Sequence, residues 1–125
     1  MNQDADHTPF SFTGRIRSLS HAVVGIGLML RTQHNAWVHA VATIGVITTG
    51  FACGVSRADW CWLVLAIVAV WTAEALNTAF EFLCDVTSPA FHPVVKQAKD
   101  VAAGAVLTTA IGAVVIGLLV FGSRL

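Results

Sequence analysis

Charge is scarce in this sequence. Seven basic and seven acidic residues serve 125 positions, while 56% of residues are hydrophobic. A water-soluble domain carries charge on about a quarter of its residues, so the composition argues against a soluble enzyme. The apolar content also argues against disorder. The formal net charge is zero, which gives no basis for a nucleic-acid partner. Cysteine is sparse and odd in number. Cys53, Cys61 and Cys84 lie in apolar runs and form no CxxC pair, so no disulfide framework is expected and they read as small apolar core residues. Residues 1–13 are polar and acidic, with no short apolar core leading to a small-residue cleavage site. They read as a flexible tail rather than a secretory signal. Walker A loops, glycine-rich kinase loops and HRD-type triplets are missing, so a nucleotide site here must be of another kind. The length allows one domain, and any chemistry must use residues within or beside a bilayer.

The pattern of what is present fits a membrane bundle. Ile16, Leu19, Val23, Ile26 and Leu30 recur at three- and four-residue spacing, which predicts an amphipathic helix over 14–32. Arg15, Arg17, His21 and Arg31 fall mostly off that stripe, and the arginines suit lipid phosphates at a membrane surface. The alternative is a short helix packed on the bundle. Thr32 to Ser56 holds no Asp, Glu, Lys or Arg. Because ~20 helical residues cross the ~30 Å hydrocarbon core, this run predicts a first membrane helix over 36–55. A turn at 54–59 follows, and Trp60 and Trp62 fit an aromatic belt. A second membrane helix is predicted over 60–85, broken by Pro89 and Pro93, and a third over 94–121, with small residues such as Ala102, Ala105 and Gly117 for close packing. Arg15, Arg17, Arg31, Lys96 and Lys99 lie on one side and Arg57 and Arg124 on the other. The positive-inside rule then places the N-terminus and the 86–99 loop in the cytoplasm.

The anomaly is in the second membrane helix. Glu74, Asn77, Glu81 and Asp85 are spaced by three, four and four, which puts them within an arc of about 80° on one face. A charged side chain at the centre of a membrane helix costs roughly 2.5–3.5 kcal/mol on insertion scales. Such a stripe persists if a cation, a wet cleft, protonation or pairing with bases compensates it. Carboxylates and an amide oxygen suit Mg2+, a hard cation. Across the following loop, Lys96, Lys99 and Asp100 begin the next apolar helix. A lysine beside a carboxylate cluster is the charge arrangement that phosphoryl transfer needs.

These residues resemble the small prokaryotic diacylglycerol kinase family, which includes undecaprenol kinases. The resemblance is carried by E-A-L-N-T-A-F-E at 74–81, Asp85, and F-H-P-V-V-K-Q-A-K-D-V-A-A-G-A-V at 91–106. Arg15, Ser18, Ala22 and Gly25, and N-A-W-V-H at 35–39, extend it, so that it covers about 14–122. It implies an all-α membrane protein with a surface helix and three membrane helices per chain, assembled as a homotrimer in the bacterial inner membrane. It implies Mg-dependent transfer of the γ-phosphoryl of ATP to a lipid hydroxyl. Carried over by resemblance, Glu74 is the catalytic base and Glu81 a metal ligand. Asn77, Asp85, His92, Lys99 and Asp100 match positions at the nucleotide, and Arg15 and Arg17 are lipid or phosphate contacts. Gln33 stands where the family often has a second metal-binding glutamate, and Ala36-Trp37-Val38 replaces an aromatic–arginine pair. The 92–106 stretch is more similar to the undecaprenol kinase branch, with diacylglycerol the other candidate substrate. Two further readings of the acid stripe remain: a proton- or cation-conducting bundle, and a structural membrane subunit.

Overall fold

The computed structural model describes residues 9–124; residues 1–8 of the expected tail and Leu125 lie outside the described residues. The described chain is all helical, with α1 (Phe12–Thr32), α2 (His34–Cys53), α3 (Arg57–Thr87) and α4 (Pro93–Gly122). Helices α2, α3 and α4 are each long and apolar enough to cross a membrane.

Local chemistry sets the boundaries. Ser11 caps α1 by accepting the Gly14 amide at 3.1 Å. Gln33 alone separates α1 from α2. Its backbone is extended (φ −115°, ψ 117°), which breaks the helical axis, and its amide still donates to the Met29 carbonyl. α2 therefore starts two residues earlier than the apolar run suggests. It ends at Gly54, whose left-handed backbone (φ 62°) favours glycine. The Val55 amide reaches back to the Gly50 carbonyl at 3.2 Å, and Val55 is buried. This is the hydrogen bonding of a Schellman stop. Ser56 then opens α3 with a capping box. Its hydroxyl accepts the Asp59 amide while the Asp59 carboxylate accepts the Ser56 amide. Asp59 thus belongs to the first turn of α3 rather than to the preceding turn. α4 starts with Pro93 at its first position, behind His92, whose Nδ1 accepts the Val94 amide at 3.2 Å.

α3 and α4 form an antiparallel hairpin. The seam on α4 runs through Ala102, Val106, Thr109, Ala113, Ile116 and Val120, and the spacing of three and four gives the geometry of shallow helix crossings. At the 54–56 end the core is apolar: Val55, Leu63 and Val120 are buried, with Trp60 and Phe121 packed against them. Trp60 lies over Gly50, where an added Cβ would meet its ring at 2.6 Å. Trp60 is therefore an internal contact, while Trp62 faces outward. Of the cysteines only Cys84 is buried; Cys53 and Cys61 face outward. Arg124 closes this end by donating to the Gly54 carbonyl at 3.2 Å and to Asp59 at 2.9 Å.

With one end level, length decides the other. α2 has 20 residues, but α3 has 31 and α4 has 30. At ~1.5 Å per residue the hairpin overshoots α2 by about 15 Å. The overshoot carries Glu81, Asp85, Lys96, Lys99 and Asp100. The apolar stripe of α1 is not covered by protein: Ile16, Leu19, Val23 and Ile26 are exposed, and only Met29 of α1 is buried.

Candidate active site

The acid stripe occupies the packing seam of α3. Leu63, Ala66 and Val70 fill this seam with apolar groups, and Glu74 and Asn77 continue it, all buried. The stripe is graded in exposure. Glu74 is 0% exposed and Asn77 7%. Glu81 is half-buried, and the Asp85 side chain is 65% exposed. The four groups therefore form a line from the sealed interior to the surface of the overshoot.

Among the described residues, one ionisable side chain lies within ion-pair distance of Glu74. His39 of α2 places Nε2 3.3 Å from Glu74 Oε2. The pair lies within ion-pair distance but off the line of a hydrogen bond. Both Glu74 oxygens, His39 Nε2 and Asn77 Oδ1 are buried without a hydrogen-bond partner. A buried polar atom left unpaired costs about 1–3 kcal/mol, and here four such atoms belong to three side chains of one cluster. They remain available to an incoming group. The Asn77 amide donates instead to Glu81 Oε1, at 3.4 Å. Thr78 returns its hydroxyl to the Glu74 carbonyl at 2.9 Å.

His39 was not singled out as a site residue in the sequence. The available signal was an ionisable side chain inside a run without formal charge, which in a membrane helix points to function. Its place is held by Trp71. The Trp71 ring meets His39 edge-on at 6.3 Å, and its indole N–H donates to Thr43 Oγ1 at 2.9 Å. Thr43 in turn donates to the His39 carbonyl at 2.7 Å.

At the outer end of the stripe, Lys99 of α4 donates to Asp85 of α3 at 2.9 Å and ties the hairpin together. Lys96 pairs with Asp100 at 2.7 Å one turn apart on the same helix, with both side chains exposed. Among the described residues, no hydrogen bond or ion pair links Arg15, Arg17, Gln33, His92 or Asp100 to the stripe. Arg15 lies over the Phe10 ring at 5.4 Å. Gln33, at the α1–α2 break, makes no side-chain cap. His92 caps α4 through one ring nitrogen.

Two cavities meet at His39. A groove of about 360 Å³ is bounded by α2, α3 and α4; its walls are apolar except for His39 and Thr43. A niche of about 250 Å³ is lined by Asn35, His39 and Asn77 with Ala103, Val106 and Leu107. Among the described residues, no three acidic, histidine or cysteine side chains converge on one point. A Mg2+ ion would need only one or two protein carboxylates here, with waters and substrate phosphates as its other ligands. Glu81 is the half-buried carboxylate available for it.

The chain as a whole matches known proteins. The sequence profile of prokaryotic diacylglycerol kinase matches residues 20–121. The chain is 39% identical over 109 residues to an undecaprenol kinase of Bacillus subtilis (strain 168), covering 87% of this chain and 89% of that protein. It is 37% identical over 101 residues to a diacylglycerol kinase of Synechocystis sp. (strain ATCC 27184 / PCC 6803 / Kazusa), covering 80% of this chain and 58% of that protein. No solved structure matches. A membrane bundle with this motif in its packing seam, matched along four-fifths of its length, belongs to the prokaryotic diacylglycerol kinase family and is a lipid kinase.

Proposed function

We propose that the protein transfers the γ-phosphoryl group of ATP, with Mg2+, to the hydroxyl of a membrane lipid, and that undecaprenol is preferred to diacylglycerol. The observation that carries this reading is Glu74: a fully buried carboxylate in a membrane seam, with both oxygens free to take a proton. With the lipid head entering beside His39, which borders both cavities and lies 3.3 Å from Glu74, Glu74 accepts the proton of the lipid hydroxyl as it attacks phosphorus. Glu81, with Gln33 as a neutral oxygen donor, would hold the metal together with ATP phosphates, and a metal held there would supply positive charge against the transferred phosphoryl group. Lys99 moves from Asp85 to the phosphates, or shares them, and Asn77, Asp85, His92 and Asp100 complete the nucleotide face. Arg15 and Arg17 lie against lipid phosphates, with the uncovered stripe of α1 on the membrane surface. The loop end faces the cytoplasm across a bacterial inner membrane, and three copies assemble.

The preference for undecaprenol has two supports. The relative matched over most of its length is named an undecaprenol kinase. The groove offers an apolar wall with only His39 and Thr43 as polar groups. A polyprenyl alcohol brings one hydroxyl and no ester carbonyls, so it leaves fewer polar atoms unpaired there than diacylglycerol does. The conducting-bundle reading loses ground because the seam beyond Glu74 is Val70, Ala66 and Leu63, with no acid to carry a proton farther. The test is phosphorylation in mixed micelles with Mg-ATP. Undecaprenol phosphate should form faster than phosphatidic acid, and no product from either lipid refutes the assignment.

A further inference from the structure

Glu74 lines neither the groove nor the niche, whereas His39 lines both. No other acid or base lines either cavity. His39 is 14% exposed against 0% for Glu74. In each turnover a buried carboxylate that acts as base gains a proton, and it must lose that proton before the next. The side chain of Glu74 has no contact with solvent, and among the described residues the one ionisable side chain within ion-pair distance is His39 at 3.3 Å. We propose that His39 is the proton exit and positioning partner of Glu74, a role that rests on the lipid-kinase reading above.

The lipid O–H bond breaks, and its electron pair forms the new O–P bond to the γ-phosphorus. The bond from that phosphorus to the bridging oxygen breaks, and its electrons leave on ADP. The proton passes to Glu74, then to His39 Nε2, and the imidazolium releases it to water through the niche, where Asn35 and Asn77 supply polar walls. Imidazole suits this duty because it has two ring nitrogens, so that one can take up a proton while the other gives one up. The geometry around it is fixed: Trp71 packs on the ring and, through Thr43, holds the backbone of α2 at His39. That contact sets the register that keeps the two groups adjacent. A purely structural histidine in this place would be hydrogen-bonded, and Nε2 is buried without a hydrogen bond.

The test is His39→Gln and His39→Ala in mixed micelles with Mg-ATP and undecaprenol. Glutamine keeps a polar group of similar reach but has no basic nitrogen to take up a proton. His39→Gln should lower kcat on the order of 10²-fold with KM for ATP and lipid little changed, and with wild-type elution and helix content. Imidazole added to His39→Ala should restore activity in proportion to the neutral base. A His39→Gln enzyme with wild-type kcat and pH profile overturns the exit role while leaving the kinase intact. An unaltered enzyme that phosphorylates neither lipid overturns both readings. For a His39 variant that does not fold, the chain with His39 retained provides the check. The ring-nitrogen resonances of labelled His39 should move when Glu74→Gln is introduced, and unmoved resonances overturn the pairing.

Discussion

Glu74 and Gln33 are the two positions where single atoms decide the chemistry. Replacing Glu74 by glutamine keeps size and hydrogen-bonding capacity but removes the proton acceptor. Glu74→Gln should therefore lower kcat by roughly 10²–10⁴-fold, with ATP affinity retained, as measured by steady-state phosphorylation and nucleotide binding. Gln33 is half-buried at the α1–α2 break and brings an oxygen without charge. Gln33→Glu adds a negative donor, so the Mg2+ concentration giving half-maximal rate should fall, as read from a magnesium titration at fixed ATP. The acids were legible in the sequence because a three-and-four spacing fixes their shared face whatever surrounds the helix. Their gradation was not. The burial of Glu74 and the partnership with His39 depend on how α2 lies against α3, and periodicity within one helix carries no information on that register. Lys96 and Asp100 show the converse: their one-turn spacing already allows the pair that the structure contains.

At the scale of the element, stops and close approaches explain most departures from the sequence reading. All four helices were visible as apolar runs or stripes. Their ends moved by two or three residues where Gln33 and Ser56 set caps that hydropathy does not register. Trp60 is the clearest case. Its position suggested an interfacial anchor, but a glycine on the neighbouring helix leaves room for the indole, and burial against protein wins. Gly50→Ala should force this ring away, because the added carbon would stand 2.6 Å from it. The expected cost is about 1–3 kcal/mol, seen as a lower unfolding midpoint in detergent. A fluorescence shift of Trp60 should accompany it.

At the scale of the whole molecule, the bundle is apolar and closed at one end and polar and extended at the other. The apolar end is fastened by Arg124 across Gly54 and Asp59. The polar end is joined across α3 and α4 by Lys99 and Asp85. That second link bears on biogenesis. α3 leaves the ribosome before α4, and until α4 follows it presents Glu74, Glu81 and Asp85 to the membrane without the lysine that answers one of them. At roughly 2.5–3.5 kcal/mol for a central charge, tapering toward the ends, the acids weigh against the apolar remainder of the helix. α3 should therefore partition poorly alone and be committed to the bilayer by the arrival of α4. Glycosylation mapping of a chain ending after α3 should show incomplete insertion, restored either by extending the chain through α4 or by Glu74→Leu with Glu81→Leu. Full insertion of the unaltered shorter chain would contradict this. The groups that make the site chemically capable would then also set the order in which the polypeptide enters its membrane.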